Sequence, residues 1–184
     1  MTVAEIFGKI SAHMVEGMMF HEQMSDYYDF LALDGYSCCH QWHYICETKS
    51  RSDIHRFYIG HYNKLLWDEK VDAGSVIPTG WANATRFDVD VNTKKSAVKS
   101  GASEWLKWER QTRDLYLEMY RNLCDLNEIV AAEKISELIC DVDKEIHIAE
   151  EKNLKLIAVG YDMNYICDEQ RHLLKKYKHR MEEC

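Results

Sequence analysis

Histidine and carboxylate side chains on the first two predicted helices have the clearest capacity for chemistry. The candidates are His13, Glu16, His21 and His55. Imidazole and carboxylate groups bind divalent metals, and imidazole transfers protons near neutral pH. If the two helices pair antiparallel about Gly35, then His13, Glu16 and His55 lie at a similar level. A metal or proton-transfer site is one interpretation, and hydrogen-bonded histidines within the core are the favoured alternative.

Acidic residues recur every four positions along the fourth predicted helix. They are Glu133, Glu137, Asp141 and Glu145, and we call them the acidic ridge. Like charges one helical turn apart cost stability, about 0.2–0.5 kcal/mol per pair. The ridge is therefore either an ordinary solvated helix face or an anionic surface that docks on a basic protein partner.

The overall charge limits which partners the chain can bind. The 184 residues include 31 acidic and 23 basic residues, which gives a net charge of −8. This balance argues against nucleic-acid binding through bulk positive charge and against docking on anionic lipid. Basic residues nevertheless cluster in the last predicted helix, where they either contact DNA or complement the C-terminal end of the helix. These are Arg171, Lys175, Lys176, Lys178 and Arg180.

The composition also indicates a cellular compartment. No apolar run is long enough to span a membrane, and the N-terminus lacks the layout of a signal peptide. The seven cysteines, an odd number without a Cys-x-x-Cys motif, favour reduced thiols. We therefore expect a cytoplasmic protein without disulfides.

Apolar residues at helical spacing predict a single all-α domain over 1–184. The predicted helices cover about 2–34, 37–67, 103–124, 126–159 and 162–181, with a crossover over 68–102 that contains Pro78. Within the crossover, residues 87–92 alternate like a short strand. Capping-box patterns at 2–5 and 125–128 mark two helix starts. Gly35 is expected to end the first helix and Gly160 the fourth.

This order of two hairpins, a long crossover and a tail helix resembles the ferritin-like four-helix bundle. The di-metal centre of such bundles needs carboxylates from separate helices and two Glu-x-x-His pairs. Glu169–His172 is the only such pair, and it lies in the tail helix. We therefore expect the fold without its metal centre and without a cofactor.

Residues 11–30 carry a second resemblance. Their sequence is SAHMVEGMMFHEQMSDYYDF, which is similar to small helical proteins of gut bacteria and their phages. The similarity continues through Asp88–Lys94 and Asp162–Tyr165. Some proteins of this kind resemble anti-CRISPR inhibitors of the Cas9 nuclease.

This resemblance implies a non-enzymatic protein that binds the Cas9–guide RNA complex in the bacterial cytoplasm. The acidic ridge would then contact one of the positively charged channels of Cas9. The alternative is a ferritin-like metal-binding or redox protein that uses His13, Glu16, His21 and His55. Self-association into a homo-oligomer is compatible with either function.

Overall fold

Five α-helices make up most of the chain in the computed structural model, which describes residues 1–68, 70–71, 74, 85 and 88–182. They are α1 (Val3–Phe30), α2 (Asp34–Tyr62), α3 (Val91–Asp125), α4 (Ile129–Ala158) and α5 (Met163–Glu182). The described residues contain no strand, so the all-α prediction is confirmed. None of the helices in this part of the chain combines the length and apolar character needed to cross a membrane.

The first helix begins as predicted, but the turn that follows it is not formed by the predicted residue. The Thr2 hydroxyl accepts a hydrogen bond from the Glu5 amide, and the Glu5 carboxylate accepts one from the Thr2 amide, which completes the capping box. Ala32 supplies the left-handed residue of the turn, with φ at 53°. Gly35 already lies within α2, so the prediction that it ends the first helix is wrong.

Gly35 has a different role, which is the close approach of α2 to α5. A Cβ atom at this position would lie 1.9 Å from the backbone oxygen of Gln170. No side chain fits in that space, because real Cβ atoms do not approach a backbone oxygen so closely. The glycine therefore lets the two helix backbones pack together.

The third helix begins well before its predicted start near Ser103. Asp90 is its N-cap, and the Asp90 carboxylate accepts a hydrogen bond of 2.7 Å from the Thr93 amide. Val91 and Asn92 therefore lie in the first turn of α3, and the predicted strand over 87–92 is wrong for its described residues. Phe87 and Pro78 lie outside the described residues. The crossover accordingly ends at Asp90.

The second predicted capping box, over 125–128, is also wrong. Asn127 adopts a left-handed conformation with φ at 59°, and Glu128 caps α4 without a side-chain hydrogen bond to the helix. The Glu128 carboxylate instead accepts a hydrogen bond of 3.0 Å from the hydroxyl of Tyr62 on α2. At the other end, Gly160 has φ at 60° just after α4, in agreement with the predicted stop.

The helices pack as two hairpins, α1–α2 and α3–α4, with α5 against α2. Two hydrophobic clusters fill the bundle, one around Tyr28, Tyr36 and Trp105 and the other around Phe7, Ile54 and Met119. Several polar side chains are buried as well, namely Ser11, His21, His40, His43, Glu109 and Thr112.

A polar contact also fastens α5 to the bundle. The Lys152 ammonium on α4 lies 3.8 Å from a carboxylate oxygen of Glu169 on α5, and both side chains are largely buried. The same ammonium lies 4.5 Å from the ring centroid of Tyr36, whose hydroxyl donates to Glu169. This contact ties α2, α4 and α5 together.

Candidate functional site

His13 faces α3, and Glu16 contacts the ring of His13 from the same helix. The His13 Nε2 atom lies 2.8 Å from the Thr112 hydroxyl, and the His13 ring stacks on Trp108 with centroids 4.5 Å apart. The Nδ1 atom lies 3.4 Å from a carboxylate oxygen of Glu16. Burial lowers the pKa of His13, although the Glu16 charge opposes that shift. Both ring nitrogens thus have partners within the protein.

His21 belongs to a different group, together with His40 and His43 of α2. All three are buried. The Nδ1 atoms of His21 and His40 lie 2.9 Å apart, and the ring centroids of His21 and His43 lie 5.1 Å apart. Burial lowers the pKa of each ring, for His43 to about 3. These histidines are therefore neutral in the folded protein at neutral pH.

His55 lies in a third environment, where the crossover leaves the bundle. Its Nε2 atom lies 2.7 Å from the hydroxyl of Ser11, which donates a hydrogen bond to the Asp68 carboxylate. Arg51 pairs with the same carboxylate at 2.5 Å. Asp68 contacts the hydroxyl and Nε2 rather than the far ring nitrogen, and Ser11 is fully buried, so this is not a nucleophilic triad. The four predicted residues thus occupy three separate environments.

Three glutamates line a cavity between the helices. Sequence reasoning singled out one of them, Glu145, as part of the acidic ridge, and missed the other two. Glu47 comes from α2, Glu109 from α3 and Glu145 from α4, and the cavity volume is about 350 Å³. Glu109 is 4% exposed, while Glu47 and Glu145 are half-buried. The only hydrogen bond of Glu109 to another side chain among the described residues comes from the Trp105 indole, at 2.8 Å. No ion pair of the described residues includes Glu47 or Glu109.

These carboxyl groups hold protons more tightly than ordinary glutamates. Burial, reinforced by the charge of Glu145, raises the pKa of Glu47 to about 7. Burial and the charge of Glu47 raise the pKa of Glu109 to about 8, against the Trp105 hydrogen bond. Burial also raises the pKa of Glu145. Titratable groups shifted this far, and gathered around a cavity, are typical of functional sites.

The sequence contained a signal for this cavity. Glu109 falls on the same helical face as Trp105, Thr112 and Tyr116, so it interrupts the buried stripe of α3. Glu47 follows His40 and His43 on the buried face of α2 in the same way. A charged residue inside an apolar stripe is the feature to look for, because such residues are rarely buried without a reason.

The acidic ridge is divided between two environments. Glu133, Glu137 and Asp141 are exposed on α4. Glu145, the fourth member, turns toward the cavity, with one carboxylate oxygen 3.9 Å from Nδ1 of His43. Glu133 and Glu137 also line a groove of about 410 Å³ between α2 and α4, whose other lining residues are Asp53, Phe57, Val130 and Lys134.

The basic residues of α5 are likewise divided. The Arg180 guanidinium lies 5.7 Å from the ring centroid of Trp42, and the Lys176 ammonium lies 4.8 Å from that of Tyr177. These two side chains cover aromatic rings near the packed face of α5. All five residues are exposed, and the other three, Arg171, Lys175 and Lys178, line a common groove.

Comparison with known proteins identifies the fold. A humanized archaeal ferritin superposes with a TM-score of 0.73 over 92% of this chain and 93% of that chain, at 12% identity. The fold is ferritin-like. An engineered closed form of the Archaeoglobus fulgidus ferritin gives a TM-score of 0.72 over 94% and 96%, at 12% identity. The open-pore ferritin of the same archaeon gives 0.71 over 92% and 94%, at 13% identity.

Sequence comparison adds no relative to these structures. No family model and no curated protein matches the chain. At 12–13% identity the superpositions establish the fold alone. The predicted ferritin-like bundle with a fifth helix is therefore confirmed, and function has to be argued from the chain's own residues.

The di-metal centre implied by such a bundle does not fit these residues. Among the described residues, no three His, Cys, Asp or Glu side chains come close enough to share one ion. On α1, Gly17 faces the Glu47 carboxyl group, and a Cβ at this position would lie 3.2 Å from the carboxyl carbon and from Trp108. That position of α1 therefore supplies no carboxylate to the cavity.

Proposed function

We propose that the protein acts by binding a basic partner through the groove between α2 and α4, and that the partner is the Cas9–guide RNA complex. The observation that supports binding is that two members of the acidic ridge, Glu133 and Glu137, line a groove beside apolar side chains. The choice of Cas9 comes from the resemblance of residues 11–30 to phage-associated proteins.

The groove combines the two properties that docking requires. Val130 is 52% exposed and the neighbouring Ile129 is 53% exposed, so apolar area is available for burial on binding. Acidic groups surround this area and would steer a basic partner toward it. Lys134 is half-buried and pairs with Glu137 at 2.6 Å, but ion pairs at the protein surface contribute only about 0–1 kcal/mol. A cationic side chain of a partner can therefore replace the lysine.

The test is a Cas9 cleavage assay with guide RNA and target DNA, titrated with this protein at fixed salt. We expect inhibition near stoichiometric concentration. The triple variant E133Q/E137Q/D141N should inhibit at least tenfold more weakly, with unchanged helix content. E151Q is the matched control, because Glu151 is exposed on the same helix and pairs with a lysine in the same way.

Two results would reject parts of the proposal. An absence of inhibition across several Cas9 orthologues would reject Cas9 as the partner. Full inhibition by the triple variant would reject the groove as the binding surface, while Cas9 would remain the partner.

A contact between α5 and DNA is the second part of the predicted interaction. Arg171, Lys175 and Lys178 share an exposed groove, which supports a contact with phosphates. Binding of duplex DNA by the purified protein should weaken as salt rises, and K175E/K178E should abolish it. DNA binding that persists in this variant would place the contact elsewhere.

The alternative function, a ferritin-like metal or redox protein, makes a separate prediction. Protein purified without chelator would contain stoichiometric iron or manganese, and His55→Ala would lose it. Elemental analysis of the same preparation used for the cleavage assay distinguishes the two functions. Metal-free protein that resists reconstitution would reject the alternative.

A further inference from the structure

We propose that the cavity lined by Glu47, Glu109 and Glu145 binds an aliphatic ammonium ion of the polyamine class. The cavity brings together carboxyl groups from α2, α3 and α4. Its volume of about 350 Å³ lies within the range of pockets for small organic ligands, about 300–1,000 Å³. This site is separate from the groove on α2 and α4, and the inference does not depend on the Cas9 partner.

The charges of Lys176 and Arg180 act on Glu145, but Glu47 and Glu109 lack a cation from the described part of the chain. Glu47 and Glu109 take part in none of its ion pairs, and Lys144 at the rim pairs with Asp141 at 2.7 Å instead. Buried carboxylates are normally paired or bound to a cation, because an unpaired buried charge is costly. In the free protein the raised pKa values of Glu47 and Glu109 let protons offset part of this charge, and a bound cation would take the place of those protons.

A second and independent observation also points to a ligand. His43 is 6% exposed and lines the cavity, and its Nε2 atom has no hydrogen-bond partner. One carboxylate oxygen of Glu145 is buried and equally without a hydrogen bond. In the tautomer that carries its proton on Nδ1, His43 offers Nε2 as an acceptor. Ammonium N–H groups would satisfy both the carboxylate and the imidazole.

The shape of the site favours an extended organic cation over a metal ion. The described donors do not converge three at a time on one point, as a metal site requires. An alkyl chain with two or more ammonium groups can reach carboxylates that are too far apart to share one ion. The cavity wall also has apolar area for the methylene groups, supplied by Met14, Tyr116, Leu138 and Val142.

Calorimetric titration of the full-length protein with putrescine and spermidine at pH 7.5 tests this proposal. We expect saturable binding with 1:1 stoichiometry and no binding of the neutral analogue 1,4-butanediol. The double variant E47Q/E109Q should bind at least tenfold more weakly, and E151Q, which changes an exposed acid of α4 outside the cavity, should bind normally. Binding should release protons to the buffer, because the pKa of Glu109 is raised to about 8 and its carboxyl group is therefore largely protonated in the free protein at pH 7.5.

Several outcomes would overturn the inference. These are no saturable binding, equal binding of the diol, or equal binding by E47Q/E109Q. Saturable binding of Mn²⁺ or Zn²⁺ without amine binding would assign the cavity to a metal. If the double variant does not fold, the single variant E47Q replaces it, because Glu47 is only half-buried. It should also bind the amines more weakly than the parent protein. Cas9 inhibition by protein that does not bind amines would leave the groove proposal intact while rejecting this one.

Discussion

His21 and His40 place their Nδ1 atoms 2.9 Å apart inside the bundle, so one nitrogen must donate a hydrogen bond and the other accept it. Protonation of the accepting ring would turn two donors toward each other. The charge on Lys152 of α4 also disfavours a proton on His40, and the charges of Lys152 and of Lys176 on α5 disfavour one on His43. The core of the protein therefore depends on neutral histidines.

Acidification should destabilise the fold through these histidines. Their folded-state pKa values lie below the ordinary 6.5, so the unfolded chain binds protons more readily below pH 6.5. Their contribution to stability is complete above that pH and is lost as the pH falls. In urea unfolding between pH 6 and 4, H43Q should lose stability less steeply than the parent protein, by about 1 kcal/mol per pH unit. Equal slopes for both proteins would contradict this, and H172Q at an exposed position is the control.

The buried carboxyl groups should make stability depend on pH in the opposite direction, so that the protein loses stability as the pH rises. Glu109 has a pKa of about 8 in the folded protein, so its proton stabilises the fold at low pH and that contribution is lost as the pH rises above 4.5 toward 8. Glu109→Gln should therefore raise the unfolding free energy by about 2–4 kcal/mol at pH 8.5 and change it little at pH 4.5. The glutamine oxygen can still accept from the Trp105 indole, which preserves the contact. Equal stability of variant and parent at pH 8.5 would contradict the prediction, because it would show that the charge of the ionised Glu109 costs the folded protein no stability.

Two glycines of α2 should respond in opposite ways to the same substitution. At Gly35 a Cβ would collide with the Gln170 backbone, so Gly35→Ala should lower the unfolding free energy by about 1–3 kcal/mol. At Gly60 nothing lies within 4 Å of a Cβ, so Gly60→Ala should raise it by about 0.5–1 kcal/mol through helix propensity. Thermal unfolding of both variants measures the contrast. A stable G35A protein would mean that α5 can move away from α2 at little cost.

The fold was predictable because helical periodicity and helix order are local properties of the sequence. The errors arose where a tertiary contact determined a residue's role. Gly35 is required by a backbone of α5 that lies 135 positions away in the chain, and Glu128 accepts a hydrogen bond from Tyr62 instead of capping its own helix. Asp90 caps α3, but the alternation of apolar and polar residues over 87–92 suggested a strand, so its capping role was missed.

The candidate site was harder to predict for the same reason. His13, His21 and His55 were identified from their positions on helical faces, but periodicity does not indicate which of several neighbouring helices each residue faces. The cavity needs Glu47, Glu109 and Glu145 from three helices, and only packing brings them together. A search for acids inside apolar stripes would have found Glu109.

The contact between Lys152 and Glu169 should hold α5 against the bundle. Lys152 and Glu169 are 12% and 16% exposed, so removing the carboxylate leaves a nearly buried ammonium without its counter-ion and the Tyr36 hydroxyl without its acceptor. Glu169→Ala should therefore lower the unfolding free energy by about 2–4 kcal/mol. Urea unfolding, followed by circular dichroism, measures the loss.

The neighbouring pair of Asp168 and Arg171 provides the control for this prediction. These side chains are 71% and 78% exposed and lie 2.9 Å apart, so Asp168→Ala should change the unfolding free energy by less than about 0.5 kcal/mol. In the double variant K152M/E169A, removal of the unpaired ammonium should restore part of the stability lost in E169A. If E169A and D168A are equally stable, the Lys152 ammonium is held by the Tyr36 and Trp105 rings alone.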